Sequence, residues 1–128
     1  MSKHFNISGI FIARLILAVI LIVFGSNKFL HFMPMFQDTG KATEFYNGML
    51  NSGYLFPVLG VIEVLVGILL ITKRAVPFAL IVLAPISVNI ILFHLFLFPK
   101  GFLPGLVVFV LNVYLIEKYW HRYANLFD

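Results

Sequence analysis

Four long apolar runs are the feature that most limits what this chain can fold into. They cover approximately residues 8–29, 54–72, 76–98 and 102–119, each close to the roughly 20 residues that a helix needs to cross a bilayer. The chain is 62% hydrophobic and 11% charged, and 128 residues cannot bury so much apolar surface in one soluble core. The sequence therefore predicts one all-α transmembrane domain over 1–128, an antiparallel four-helix bundle.

The segment between the first two runs has polar and apolar residues at helical spacing. Asp38 or Thr39 can cap a helix there, because their side chains can accept hydrogen bonds from the first free backbone N–H groups. The apolar residues that recur at helical spacing are Phe45, Met49 and Leu50. The pattern predicts a short amphipathic helix over about 39–51 in this outer loop, lying on the membrane surface or capping the bundle.

Lysine and arginine are more numerous on one side of the predicted bundle. The side with both termini and the 72–75 turn carries Lys3, Lys73, Arg74, Lys118 and Arg122. The other side carries Lys28, Lys41 and Lys100, diluted by Asp38 and Glu44. The positive-inside rule then predicts that both termini are cytoplasmic. The inner (cell) membrane is the expected location. Anionic lipid explains the net charge of +4, so no nucleic acid is needed as a partner.

Glu63 is the one ionisable residue in the middle of the second run. Gly60 and Gly67 share its helix face, and small residues on a face let another helix approach closely. This face is therefore predicted to pack inside the bundle, as the cost of exposing a charge to lipid also requires. At this depth Glu63 is expected to be either paired or protonated.

The first run repeats this pattern, since Arg14, Ala18, Gly25 and Lys28 fall on one helical stripe, predicted to face the bundle. Two interpretations of Arg14 stay open. It can snorkel to the inner interface, or it can pair with Glu63 if the helices are tilted or offset, because Arg14 lies about 10 Å nearer the cytoplasm. Lys28, near the outer boundary, is interpreted as a snorkelling anchor.

Depth along each helix suggests where the remaining polar groups meet. A rise of about 1.5 Å per residue places three polar side chains about 14 Å below the outer end of their runs: Glu63, Asn89 and Asn112. This shared depth predicts a common mid-membrane layer. A second polar level near the outer surface consists of Asn27, Lys28 and His94. Asn112 is interpreted as interhelical hydrogen-bonding glue. His94 is expected on a backbone carbonyl and not on a metal, because no second histidine or cysteine stands at ligand spacing.

The sequence offers no catalytic constellation. Cysteine is absent, which excludes thiol nucleophiles, disulfide exchange and Fe–S clusters within this chain. No nucleophile–base set, paired catalytic carboxylates, phosphate loop or metal cluster is evident, and no catalytic residue is predicted. The chain is therefore expected not to be an enzyme on its own.

Several short motifs, taken in order, resemble the DoxX family of small four-helix membrane proteins. They are Arg14 in the first run, the "FGSNKF" that closes it, "GVIEVLVGILLI" around Glu63, and "NIILFHLFLFP" with Asn89, His94 and Pro99. The resemblance implies a four-helix fold with a short helix in the first outer loop. It also implies a range of roles: subunits of thiosulfate:quinone oxidoreductases, partners of thiol-redox systems, and cargo receptors or assembly chaperones. Kinship of fold does not choose among these roles.

Two hypotheses about function follow. The first is an auxiliary component of a membrane redox system that binds a small lipophilic molecule, such as a quinone or a lipid, around the Glu63/Asn89/Asn112 layer. His94 and Lys28 would then continue a proton relay. The alternative is a non-catalytic assembly or interaction protein whose polar layer is structural. A membrane or redox protein is the expected partner, and glycine-lined faces are also available for a homodimer.

Overall fold

The computed structural model describes residues 2–30, 40–99 and 102–127, and within these the side chains from residue 9 onward. The described residues form five α-helices and no strand. These are α1 (Ser2–Leu30), α2 (Lys41–Asn51), α3 (Leu55–Thr72), α4 (Val76–Phe96) and α5 (Phe102–Lys118), followed by two 3₁₀ turns at Trp120–Arg122 and Ala124–Phe127. The predicted all-α class is confirmed.

Three stretches of helix are long and apolar enough to cross a membrane: Gly9–Leu30, Leu55–Thr72 and Val76–Phe96. Large apolar side chains such as Phe78 (65% exposed) and Leu95 (68%) lie on the outside, as expected where hydrocarbon is the solvent. The chain is thus a membrane protein. Helix α5 has 17 residues and rises about 26 Å, somewhat less than a hydrocarbon core of about 30 Å. The fourth crossing stays a prediction.

Helices α1 and α3 lie antiparallel along a seam lined with small residues, which we call the α1–α3 seam. A Cβ atom added at Gly25 would lie 3.0 Å from the carbonyl oxygen of Gly60, and one at Gly67 would lie 3.0 Å from that of Ala18. Only small residues allow backbones to approach so closely. Gly60, Glu63 and Gly67 are all buried, which confirms that this face of α3 packs against another helix.

The other helices complete the bundle around a leucine-rich core. Helix α5 packs along α4 and α1, and α4 also contacts α3. The fully buried leucines are Leu17, Leu21, Leu70, Leu80, Leu83 and Leu115. These residues come from all four long helices, so their burial stabilises the bundle as a unit.

Helix α2 covers the end of the bundle where α1 ends and α3 begins, which we call the α2 end. Ala42 is fully buried, the Phe45 ring lies 5.6 Å from that of Phe93 on α4, and the Tyr46 ring lies 5.0 Å from that of Phe56 on α3. A helix therefore lies within the predicted 39–51 segment and contacts α3 and α4. Its predicted start at 38–39 lies outside the described residues, and its amphipathic placement on the membrane stays a prediction.

The turn 73–75 joins α3 to α4 at the opposite end, which we call the turn end. Lys73 and Ala75 have positive φ values of 57° and 50°. For a residue with a Cβ atom this left-handed conformation costs roughly 1–2 kcal/mol, a cost that glycine avoids. The sharpness of the turn is what brings α4 back alongside α3.

Ala75→Gly is expected to raise the free energy of unfolding by about 0.5–1 kcal/mol. The backbone strain that glycine relieves at positive φ is larger than the conformational entropy that glycine loses on folding. Thermal unfolding of the detergent-solubilised protein, followed by circular dichroism, measures this. Arg74→Gly is the matched control, since Arg74 lies in the same turn without a positive φ, and it is expected to destabilise. A loss of stability in Ala75→Gly would contradict the claim that the positive φ of Ala75 strains the folded backbone.

Tyr123 anchors the chain that follows α5. Its side chain is 2% exposed, and its hydroxyl donates a 2.7 Å hydrogen bond to the carbonyl oxygen of Pro77 at the start of α4. Burial raises the pKa of Tyr123 to about 12, and the neighbouring Tyr119 contributes to the increase. The folded protein therefore favours the neutral phenol.

The free energy of unfolding is expected to fall between pH 10 and 12. Because the pKa of Tyr123 is raised in the folded protein, its contribution to stability is fully present below the ordinary tyrosine pKa of 10.0. That contribution is lost as the pH rises through about 12. Tyr123→Phe should lose about 1 kcal/mol at neutral pH, from the hydrogen bond, and should show a smaller alkaline loss. Thermal unfolding from pH 7 to 12 tests both. Tyr54→Phe, at a 61% exposed position, is the control and should behave as wild type. An alkaline loss of equal size in Tyr123→Phe and wild type would disprove the assignment.

Candidate functional site

An ion pair between Lys28 and Glu63 lies within the α1–α3 seam. Lys28 Nζ is 2.8 Å from Glu63 Oε1, and the two side chains are 18% and 5% exposed. Among the side chains of residues 9–30, 40–99 and 102–127 no other salt bridge is formed. Of the two states expected from the sequence, Glu63 is therefore paired.

The opposite directions of α1 and α3 explain this pairing. Helical side chains lean toward the N-terminus of their own helix. Helix α1 runs toward the α2 end and α3 runs away from it, so Lys28 leans into the bundle and Glu63 leans out to meet it. The interpretation of Lys28 as a snorkelling anchor is therefore wrong, because its ammonium group is directed to Glu63 and not to the membrane surface.

Arg14 pairs with the backbone and not with Glu63. Its Nη1 donates to the carbonyl oxygen of Leu70, and its guanidinium carbon lies 5.7 Å from the centre of the Phe11 ring. Leu70 comes about 10 Å beyond Glu63 along α3, the offset estimated from the sequence. Near the end of α3, backbone carbonyls lack helical partners and form the negative end of the helix dipole. Arg14 thus caps α3, while its Nε is buried without a hydrogen-bond partner in the described structure.

A second polar contact joins α4 to α5. The Ser87 hydroxyl lies 2.9 Å from Asn112 Oδ1, to which it donates, and Asn112 Nδ2 donates to the Leu80 carbonyl at 3.1 Å. Ser87 and Asn112 are each 1% exposed. The interpretation of Asn112 as interhelical glue is confirmed. The sequence does not indicate Ser87 as its partner, because a lone serine in an apolar helix is a weak signal.

The predicted three-helix polar layer does not form, because Asn89 lies on the outside of α4. Its side chain is exposed, and its Nδ2 donates to the carbonyl oxygen of Pro85 in its own helix at 3.1 Å. Counting residues gives depth but not direction around the helix. Asn89 follows the buried Ser87 by two residues, or about 200°, and so points away from α5.

His94 and Asn27 lie nearer the α2 end. His94 Nδ1 donates to the carbonyl oxygen of Phe98 at 3.0 Å, as expected of a histidine satisfied by the backbone. A Cβ atom at Gly105 would lie 3.1 Å from His94 Cδ2, so the imidazole packs closely on α5. Asn27 is buried, at 6% exposure. Within the described residues no three potential metal ligands lie together.

A groove of about 330 Å³ opens on the lipid-facing side of the α1–α3 seam. Its lining residues are Ser26, Phe29, Leu30, Val61, Val64 and Leu65. Phe29 and Val64 directly follow Lys28 and Glu63 in sequence, but neither member of the ion pair lines the groove. Apart from Ser26 its walls are apolar, which suits a hydrocarbon chain or a flat ring.

Comparison with known proteins adds one finding. A family model described as DoxX matches residues 9–95, which include both members of the ion pair, the α1–α3 seam and the groove. No curated protein and no solved structure matches the chain.

Proposed function

This chain belongs to the DoxX family, and we propose that it is a non-catalytic membrane component that acts by assembling with a partner protein. The observation that carries this proposal is that its deeply buried polar groups are used within the bundle. Lys28 and Glu63 join α1 to α3, and Ser87 and Asn112 join α4 to α5. A ligand that used these groups would have to break contacts that hold the helices together.

The proposal extends to placement in the cell. We propose that the chain lies in the inner membrane with both termini cytoplasmic and that α5 supplies a fourth crossing, because positive charge is concentrated at the turn end. The partner is a membrane or redox protein, or a second copy of this chain. Any thiol chemistry belongs to that partner, since this chain has no cysteine.

Native mass spectrometry of protein released from its own membranes in mild detergent tests the assembly role. We expect wild type to emerge as a complex heavier than the 14.6 kDa chain. Glu63→Gln and Asn112→Leu should weaken that complex or lower expression, because they loosen the bundle, without the loss of any small molecule. A monomer that carries a stoichiometric lipophilic ligand, lost in Glu63→Gln, would contradict the assembly role.

The groove on the α1–α3 seam favours a second candidate function, the binding of a quinone by an auxiliary redox subunit. A quinone has two carbonyl acceptors, and Lys28, whose side chain is 18% exposed, has N–H donors beyond the one used by Glu63. Phe29 and Leu65 would cover the ring and tail. This version moves the ligand from the interior layer predicted from the sequence to the lipid-facing side of the seam.

A water-soluble quinone analogue added to the purified protein tests this second candidate. We expect it to raise the unfolding temperature of wild type, because a ligand that binds only the folded state stabilises it. Leu65→Trp should remove this shift by filling the groove. Leu92→Trp, at a comparably exposed position on α4 (43% against 53%), is the matched control and should keep it. An unchanged unfolding temperature in wild type would count against quinone binding.

A further inference from the structure

The segment that follows α5 forms a surface with the α3–α4 turn. Tyr123, buried and hydrogen-bonded to Pro77, holds the two 3₁₀ turns against the start of α4. The 73–75 turn precedes α4 directly. Residues of both segments therefore lie together at the turn end, and we call this area the turn-end surface.

Large apolar side chains are exposed on the turn-end surface. Trp120, Leu126 and Phe127 are 54%, 71% and 72% exposed. The Trp120 and Phe127 rings stack with centroids 5.6 Å apart. The buried Tyr123 fixes the segment that carries them, so these side chains form an ordered apolar cluster that the bundle does not cover.

The turn-end surface adjoins the end of a helix that can cross a membrane. Helix α3 is long and apolar enough to do so, and it ends at Thr72, directly before the 73–75 turn. This position suits the boundary between hydrocarbon and headgroups. The segment that follows α5 is held at the same end by the hydrogen bond from Tyr123 to Pro77. Tryptophan and tyrosine favour this boundary, where an aromatic ring can lie in apolar surroundings and its polar atom can stay hydrated.

Positively charged side chains lie in and beside the same two segments as the apolar cluster. The exposed cations are Lys73, Arg74 and Arg122, and Lys118 is partly exposed. Among the described residues at this end, Glu117 is the one acidic side chain beside these four cations. A surface that combines an apolar cluster with cations is complementary to a membrane surface, where hydrocarbon is apolar and anionic headgroups carry negative charge. A neutral lipid surface would leave these cations without counter-charges.

We propose that the turn-end surface binds the headgroups of anionic phospholipids in its own leaflet. Arg74, Arg122 and their neighbouring lysines contact lipid phosphates, while Trp120 and Phe127 insert between the headgroups. This proposal is independent of the assembly role and of the groove.

The chain contains one tryptophan, Trp120, so its fluorescence reports on this surface alone. The full chain is reconstituted into vesicles of phosphatidylcholine, with or without phosphatidylglycerol. We expect phosphatidylglycerol to shift the Trp120 emission to the blue and to reduce its quenching by acrylamide. High salt should reverse both changes, because it screens exposed charges.

Arg74→Gln/Arg122→Gln should abolish the response to phosphatidylglycerol, and Lys73→Gln/Lys118→Gln should reduce it. Lys41→Gln, an exposed cation at the α2 end, is the matched control and should leave it unchanged. Circular dichroism checks that each variant is folded. Identical emission in the two vesicle types would overturn the proposal. A response to added polyglutamate but not to phosphatidylglycerol would also overturn it, in favour of an acidic protein partner.

Discussion

Lys28→Met is expected to destabilise the folded protein by about 3–5 kcal/mol, the cost of leaving one member of a buried ion pair unpartnered. Glu63 is 4% exposed and lies against the backbone of α1, so it cannot turn to water when the ammonium group is removed. The remaining carboxylate would then be buried in an apolar seam without a partner, and this costs stability.

Glu63→Gln should cost less than Lys28→Met. The neutral amide oxygen can still accept a hydrogen bond from Lys28, and Lys28 lies close enough to the α2 end to withdraw toward the membrane surface. The double variant Lys28→Met/Glu63→Gln should recover much of the stability lost in Lys28→Met, because it leaves no unpaired charge.

Unfolding in mixed micelles with increasing denaturing detergent measures these differences as a double-mutant cycle. Lys41→Met and Glu44→Gln are the matched controls, since both residues are exposed on α2. They should change stability by no more than about 0.5 kcal/mol. If Lys28→Met is no more destabilising than Lys41→Met, the ion pair does not hold α1 to α3.

Gly60→Val is expected to separate α1 from α3 and to cost about 1–3 kcal/mol or more. A Cβ atom at this position would lie 2.6 Å from Phe29 Cε2 and 3.0 Å from the carbonyl oxygen of Gly25. The phenylalanine ring can rotate away, but the carbonyl oxygen belongs to the backbone of α1 and can yield only if the helix moves. The new atom would also lie 3.2 Å from Lys28 Cβ, so the ion pair should weaken with the packing.

Gly48→Val is the matched control, because no atom lies within 4 Å of a Cβ atom built at Gly48 in the exposed part of α2. It should be neutral or slightly stabilising, since valine has a higher helix propensity than glycine. Detergent unfolding and expression level in the membrane compare the two variants. Equal losses at Gly48 and Gly60 would mean that glycine substitution in general, and not close approach of the backbones, governs stability.

Local properties of the sequence were enough to predict the helices and the packing faces of α1 and α3. Runs of apolar residues decide that the solvent is lipid, because few polar groups are available to meet water. Gly60, Glu63 and Gly67 share one face of α3, and the cost of exposing a charge to lipid requires that face to be covered. Each of these properties belongs to a single helix, and helical periodicity shows which residues share a face of that helix.

Only the tertiary structure decided which polar groups meet. Lys28 and Glu63 are 35 residues apart, and their contact depends on the register of α1 against α3 and on the opposite lean of their side chains. Asn89 and Asn112 have the same predicted depth, yet one is exposed and the other buried, because depth does not determine direction around a helix. The opposite lean of side chains on two antiparallel helices could have indicated, from the sequence, that Lys28 and not Arg14 is the partner of Glu63. The register itself arises from the close approach of Gly25 to Gly60, a long-range contact that no single segment of sequence encodes.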